Sequence, residues 1–308
     1  MINLKCQDDT ENLKANHKAN HARKGTTSIQ QYMKLHKKKN NGKYAIICAP
    51  GPGLLDHVMS IKDAQEKYGH KVFAIKCGET LEKYGIKVDF NVHVDTKETE
   101  LKYTYHNKNT TQLISTQCHP KLFDLYKKDK VVRFQSRTAA DWHPGTIVAQ
   151  GSNTTLQSMG LACYLGFTQV VVYGFDLSWD KDKATHTTGD RPMTKDQGQI
   201  SIILNNGKQV YTNLVLLGAC QEAFVALSQH PIPVHVIGTR LLADYIVEKQ
   251  KNNGKSVLDD QVHILLTSRM NEDVIAHISK HPNMVTTFPK FHVRQDLHVK
   301  EAHHAAAA

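Results

Sequence analysis

A turn rich in glycine and proline, Ala49-Pro50-Gly51-Pro52-Gly53-Leu54, separates two apolar stretches of the chain. Residues 44–49 predict a buried strand, and residues 54–68 predict a helix that ends at Gly69. Glycines let a ligand approach the backbone, and the N–H groups that open a helix favour an anion. Residues 51–54 are therefore candidates for binding a phosphate. A plain strand–helix turn is the alternative, because the stretch matches neither GxGxxG nor GxxxxGK[ST].

A second polar turn, Gly151-Ser152-Asn153, opens a helix predicted over residues 153–165. Its hydroxyl, amide and backbone donors would converge on one place, which suits a second anion, a sugar or the edge of a base. An ordinary helix N-cap is the alternative.

Two aspartates directly follow predicted strands. Asp95 comes after residues 91–94, and Asp176 comes after residues 169–173 within Gly174-Phe175-Asp176-Leu177. A carboxylate in such a position can hold Mg²⁺ or accept a hydrogen bond from a hydroxyl, and Gly174 would let the ligand come close. For Asp95, the alternative is a turn aspartate that caps the next segment.

The stretch after Asp176, SWDKDKATHTTGD, is long, polar and bounded by glycine, as loops over active sites often are. It contains His186, a candidate general base, general acid or phosphate ligand. The chain has 19 histidines, so His186 is singled out by its position and not by its residue type.

Strand and helix patterns alternate from residue 44 to residue 237, which predicts an α/β fold with a doubly wound, mostly parallel sheet. The continuous β-branched run QVVVY at residues 169–173 is typical of a strand covered on both faces. In such sheets ligands bind outside the carboxyl ends of the strands. The candidate residues above all follow strands, so we expect them to lie along one edge.

The net charge of +10 is concentrated at the start of the chain, where residues 1–43 hold ten Lys/Arg against three acidic residues. Residues 1–42 are accordingly predicted to be a basic flexible arm. The remaining chain is nearly neutral, which does not favour nucleic acid as a partner. At the other end, residues 258–300 predict a small strand–helix–strand appendage.

No run of about 18 apolar residues and no apolar leader segment is present, so we expect no membrane span. The six cysteines form no CxxC pair and are predicted to be reduced thiols in a cytoplasmic protein. The oligomeric state stays open, a homo-oligomer included.

Taken in order, these motifs resemble the 6-hydroxymethylpterin diphosphokinase MptE-like family, whose central domain is shared with the motility accessory factor (Maf) proteins. The family's strand followed by Gly-x-Gly-Pro-Ser-Leu stands here as residues 49–54, and its Gly-x-Asp-Leu as residues 174–177. The resemblance spans about residues 44–245 and implies a Rossmann-like nucleotide-binding domain over residues 43–248, related to sialyltransferase-type folds. Three departures stand out: Ala49 replaces Gly, Gly53 replaces Ser, and Arg240 replaces an acidic group.

The resemblance implies a transferase that moves a pyrophosphoryl group from ATP to a small hydroxymethyl acceptor with the help of Mg²⁺. Residues 51–54 would then hold one phosphate, and residues 151–153 the other end of the donor or the acceptor. Asp95 and Asp176 would bind Mg²⁺ or orient the acceptor hydroxyl, with His186 as a base. Two alternatives remain: a glycosyltransferase that uses a nucleotide sugar and a glycan acceptor, with Asp176 or His186 as its base, or a non-catalytic protein that binds a nucleotide or sugar.

Overall fold

The computed structural model describes residues 7–21, 23–137, 147–180, 187, 200–252, 254, 256 and 292–294. The strands are β1 (Thr27–Ser28), β2 (Tyr44–Cys48), β3 (Lys71–Ala74), β4 (Phe90–His93), β5 (Thr111–Ser115), β6 (Val131–Arg137), β7 (Ile147–Gln150), β8 (Gln169–Tyr173), β9 (Ile200–Ile203), β10 (Gln209–Thr212), β11 (Val234–Ile237) and β12 (His292–Arg294). The helices are α1 (Gln7–His21), α2 (Ile29–Asn40), α3 (Val58–Tyr68), α4 (Gly78–Lys83), α5 (Pro120–Asp124), α6 (Thr154–Tyr164), α7 (Leu214–Ser228) and α8 (Leu241–Lys251).

A parallel sheet organises these elements. In the described part of the chain its strand order is β1-β6-β5-β4-β3-β2-β8-β11-β12, with β7 paired to β6. The pairs on both sides of the central strand β2 are parallel, as are those further out. Strands β9 and β10 form a separate antiparallel hairpin. The predicted doubly wound α/β fold is confirmed.

The direction of winding reverses between β2 and β8. From β2 the chain adds β3, β4, β5 and β6 on one side, then returns to place β8 on the other side of β2. Cys48, the last residue of β2, is in register with Tyr173, the last residue of β8. Ligands of open α/β sheets bind at such a reversal, outside the carboxyl ends of the strands. The turns after β2 and β8 flank this position.

The central strand is buried on both faces because helices cover both. Ala45 and Ile47 of β2 belong to the core cluster that includes residues of α6, α7 and α8. Ile46 and Cys48 point to the other side, into the cluster that includes Ile61 of α3. The period-2 alternation of a strand thus divides one apolar run between two cores.

Residues 7–21 and 23–42 are folded onto the sheet where the sequence predicts a flexible basic arm. Asn16 and Asn20 of α1 are buried, and the Asn20 amide donates to the carbonyls of Thr116 (3.1 Å) and Cys118 (2.8 Å). The α1 lysines at 14 and 18 are exposed. The charges of these two lysines therefore lie on the outer face of a helix that polar side chains attach to the β5–α5 turn.

Several elements lie outside the sequence predictions. These are α1, β1, β7, the β9–β10 hairpin, α8 and β12. The predicted appendage at 258–300 falls outside the described residues except for His292–Arg294, which pair with β11 as a further parallel strand. Among the described residues, no helix has both the length and the apolar character to cross a membrane.

We expect Asn20→Ala to lower the free energy of unfolding by about 2 kcal/mol, because it leaves two buried carbonyl groups without their donor. Urea denaturation of the full chain measures this change. Asn12→Ala, at an exposed position of the same helix, is the control and should change stability by less than about 0.5 kcal/mol. Equal midpoints for the two variants would contradict the anchoring of α1 by Asn20.

Candidate functional site

The backbone donors of the glycine loop (residues 49–54) are used by the protein itself. The Gly51 N–H donates to the Gly174 carbonyl at 2.9 Å, and the Leu54 N–H donates to the Gly51 carbonyl at 3.0 Å. The Gly53 N–H donates to Oδ2 of Asp176 at 2.6 Å. The proline between the glycines has no N–H. The group at the predicted phosphate position is thus the chain's own carboxylate.

The glycines are required by this contact. A Cβ on Gly51 would lie 2.2 Å from the Gly174 carbonyl oxygen, and a Cβ on Gly53 would lie 2.8 Å from Oδ1 of Asp176. Gly174 itself has φ +68°, a conformation that side chains rarely adopt. The turns after β2 and β8 therefore pack backbone against backbone, with the carboxylate of Asp176 between them.

Asp176 is a buried acid beside a cation. Burial raises the pKa of Asp176 to about 6, although the Gly53 hydrogen bond and the charge of Arg240 act in the opposite direction. Nε of Arg240 lies 3.7 Å from Oδ2 of Asp176, and both side chains are nearly fully buried. A carboxyl group in such surroundings is ionised at pH 7 and basic enough to accept a proton.

Arg240 also joins the site to the β9–β10 hairpin. Its two terminal nitrogens each donate to Asp180 at 3.0 Å, and Nζ of Lys208, from the hairpin turn, lies 3.2 Å from the same carboxylate. These hydrogen bonds, that of Arg240 first, hold the pKa of Asp180 well below its usual range. Two carboxylates, Asp176 and Asp180, and two cations, Arg240 and Lys208, therefore form one cluster near the carboxyl ends of β8 and β11.

The second predicted turn is engaged within the chain as well. Asn153 is the N-cap of α6, and its side chain accepts from the Leu156 N–H at 3.0 Å. The Ser152 N–H donates to Oε1 of Glu222 at 2.8 Å, and the Ser152 hydroxyl donates to the other carboxylate oxygen. Gly151 has φ +131° and lies against Leu156. The turn starts a buried helix and links it to α7.

Asp95 belongs to a different cluster, at the carboxyl ends of β3 and β4. Nζ of Lys76 lies 2.7 Å from Oδ2 of Asp95 and 2.5 Å from Oε2 of Glu100. Burial acts to lower the pKa of Lys76, but the two carboxylates raise it overall. Lys76 is therefore a cation held between two acids.

The structure does not bring Asp95 and Asp176 together. Strands β4 and β8 are separated by β3 and β2, which amounts to ~14 Å at three inter-strand spacings. Across the described ranges, no three His, Cys, Asp or Glu side chains form a group that could hold a metal ion. The two aspartates therefore do not make a joint Mg²⁺ site.

His186 lies outside the described residues. The next residue, Thr187, is described, and its N–H donates to the Pro50 carbonyl at 2.7 Å. The stretch predicted to cover the site thus touches the glycine loop at this point.

Sequence reasoning singled out none of Asp180, Lys208, Lys76 and Glu100, although Asp180 lies in the polar stretch after Asp176. The strand order and the hairpin bring these residues to their partners. Arg240 was visible only as a departure from the family's pattern.

The sequence profile of the 6-hydroxymethylpterin diphosphokinase MptE-like family matches residues 14–182, beginning inside α1. A similar solved structure is the Maf glycosyltransferase from Magnetospirillum magneticum AMB-1, with a TM-score of 0.55 and 18% sequence identity. The alignment covers 85% of this chain and 41% of that protein, so this chain spans about two fifths of its length. Comparison with curated protein sequences gave no match. Because the profile match covers more than half of its residues, the chain belongs to the 6-hydroxymethylpterin diphosphokinase MptE-like family.

Proposed function

We propose that this protein is a nucleotide-dependent transferase that moves a pyrophosphoryl group from ATP to the hydroxyl of a small hydroxymethyl acceptor. The observation that carries the proposal is the position of the glycine loop, Asp176 and Arg240 at the reversal of winding between β2 and β8. The family description supplies the acceptor class.

In this proposal Asp176 is the general base. The acceptor hydroxyl oxygen forms a bond to the β-phosphorus of ATP, and the bond from that phosphorus to the α,β-bridging oxygen breaks. AMP leaves with the bridging oxygen, and the hydroxyl proton passes to the Asp176 carboxylate. The Gly53 N–H holds the carboxylate in place, and burial raises its basicity. His186 stays a second candidate base, next to the residue that contacts Pro50.

The donor phosphates would bind to the cations of the cluster. Arg240 offers the planar donor geometry that suits a phosphate, and Lys208 adds a second positive charge. Both now contact Asp180, so a phosphate would compete with that carboxylate. Positioning and neutralisation of charge are the main contributions to phosphoryl transfer. The phosphate role predicted for residues 51–54 and 151–153 would require their internal hydrogen bonds to break.

Mg²⁺ would come with the ATP phosphates. It commonly binds one or two carboxylates together with substrate phosphates, so Asp176 would anchor it only in the alternative in which His186 is the base, and the pair with Asp95 is too far apart to share it. When bound, it would neutralise phosphate charge.

A glycosyltransferase that uses a nucleotide sugar is the second candidate. It is supported by the fold likeness to the Maf glycosyltransferase over 85% of this chain. Asp176 would again accept the proton, in this case from a glycan hydroxyl.

Thermal-shift titrations against ATP, CMP, UDP, GDP and a CMP-sugar, each with and without Mg²⁺, separate these proposals. We expect ATP to raise the melting temperature most and to need Mg²⁺. A ligand at 100 times its Kd adds about 2.7 kcal/mol to the free energy of unfolding, which gives a measurable shift. Arg240→Gln should weaken the ATP shift. Gly218→Ala, at a position where an added Cβ meets nothing within 4 Å, should leave it unchanged. A larger shift with a pyrimidine nucleotide would favour glycosyl transfer, and no shift with any nucleotide would contradict both enzymes.

We expect Asp176→Asn to lower turnover of ATP and a 6-hydroxymethylpterin acceptor by about 100-fold or more, because the base is lost. In the wild type, kcat/KM should rise with pH through about 6 and then level off, because Asp176 must be ionised. Release of AMP measures both. Asp63→Asn, which changes an exposed carboxylate of α3, is the matched control and should keep most of the activity. A flat wild-type pH profile would contradict the assignment.

Asp176→Asn should also change how the stability of the protein depends on pH. The folded state raises the pKa of Asp176 from 3.8 to about 6, so it binds the proton more tightly than the unfolded state does. The stability from this group is present below pH 3.8 and is lost as the pH rises through about 6. At pH 8, Asp176→Asn should therefore be as stable as the wild type or more so, by up to ~3 kcal/mol. Urea denaturation at pH 4 and pH 8 tests this, and a large loss of stability at pH 8 would assign Asp176 a structural role instead.

A further inference from the structure

The guanidinium of Arg240 is bound to an anion of the chain itself. Nη1 and Nη2 of Arg240 each donate to one oxygen of the Asp180 carboxylate, both at 3.0 Å. Nζ of Lys208 lies 3.2 Å from Oδ1 of the same carboxylate. Two parallel hydrogen bonds from a planar guanidinium are also the arrangement by which arginine holds two oxygens of a phosphate. Asp180 therefore occupies the place at which the proposed function puts a nucleotide phosphate.

The exposure of these side chains indicates how a molecule from solvent reaches them. The side chain of Lys208 is 40% exposed, that of Asp180 is 19% exposed, and that of Arg240 is 7% exposed. A phosphate can therefore contact Lys208 directly, but it gains the two Arg240 donors only when the Asp180 carboxylate turns away. The backbone of the preceding residue, Trp179, exchanges two hydrogen bonds of 2.8 Å with Tyr211. Because the backbone beside Asp180 is held in this way, its side chain is the part that can turn.

The charges of the cluster sum to zero while Asp180 is in place. Arg240 and Lys208 contribute two positive charges, and Asp176 and Asp180 contribute two negative charges at pH 7. The hydrogen bonds from Arg240 hold the pKa of Asp180 well below its usual range, so its charge persists at neutral pH. Protonation therefore does not release Arg240, and another anion has to displace the carboxylate.

We propose that Asp180 is an internal competitor for the nucleotide phosphates and sets the affinity of the protein for its nucleotide. In the ligand-free protein its carboxylate holds Arg240 and Lys208, and on binding the phosphates take its place. When only a fraction of the molecules is free to bind, the apparent affinity falls in proportion to that fraction. The carboxylate returns to the two cations as the products leave. The inference rests on the proposed function, since it requires nucleotide phosphates at Arg240 and Lys208.

Isothermal titration of the full chain with ATP and Mg²⁺, and separately with pyrophosphate, tests the proposal. We expect Asp180→Asn to bind both ligands about tenfold more tightly than the wild type, because the amide is uncharged and offers Arg240 one acceptor oxygen in place of two. The factor should be the same for both ligands, since the cost of displacing Asp180 belongs to the protein. In an Arg240→Gln background, Asp180→Asn should change the affinity by less than about threefold, because the guanidinium that the carboxylate blocks is gone.

Asp124→Asn is the matched control, because it removes a carboxylate from another Arg–Asp pair, formed with Arg23 at the end of α5. It should bind both ligands as the wild type does. If Asp180→Asn binds ATP no more tightly than the wild type, the inference is wrong and the proposed function stands, since Asp180 would then only hold Arg240 in position. Failure of the wild type and of Asp180→Asn to bind either ligand would overturn the proposed function and this inference together.

A crystal structure of the wild type with bound pyrophosphate tests the exchange without a substitution. Phosphate oxygens should lie within hydrogen-bond distance of both terminal nitrogens of Arg240, and the Asp180 carboxylate should lie outside that distance. Retention of both Asp180 contacts beside the bound pyrophosphate would contradict the exchange.

Discussion

The close packing of the β2 turn against the β8 turn is the constraint on which the rest of the site depends. Gly51 and Gly53 leave room for the Asp176 carboxylate, and the Gly53 N–H and Arg240 offset the cost of burying it. The neighbouring elements are attached to the same place. The Leu242 N–H at the start of α8 donates to the Asp176 carbonyl, and Arg240 links Asp176 to Asp180 and hence to the β9–β10 hairpin. A side chain at Gly51 would collide with backbone, and no rotamer change would relieve that collision.

The same packing gives Asp176 the properties of a reactive group. A carboxyl group that burial makes harder to ionise reduces the stability of the folded protein at neutral pH, and such groups cluster at functional sites. Here it stands where the winding of the sheet reverses, the position at which this class of sheet binds its ligands. In the proposed function, stability and turnover depend on this one carboxylate in opposite directions, because the burial that raises its basicity also lowers the stability of the folded protein.

Much of the fold was predictable because local signals agree with one another. Apolar runs such as Gln169–Tyr173 predict buried parallel strands, and the glycine turns mark their ends. Helix α1 was not predictable in this way, since it is attached by buried polar side chains such as Asn16 and Asn20, whose composition is typical of a solvated segment. The partners of Asp176 were also beyond local signals. Arg240 contacts Asp176 because of the strand order, and Lys208 contacts Asp180 because of the hairpin. No spacing along the chain encodes either contact.

The glycine loop shows why a motif can indicate a site and leave its occupant open. A bound phosphate and a buried carboxylate make the same demands on the backbone, namely available N–H groups and no Cβ in the way. Gly53 and Arg240 are linked by this geometry. A serine in place of Gly53 would put its Cβ 2.8 Å from Oδ1 of Asp176, so Asp176 can occupy the loop only because that side chain is missing. Arg240, which lies beyond the residues that match the family, supplies the cation that the buried carboxylate needs. Gly53 and Arg240 together keep the carboxylate of Asp176 against the loop.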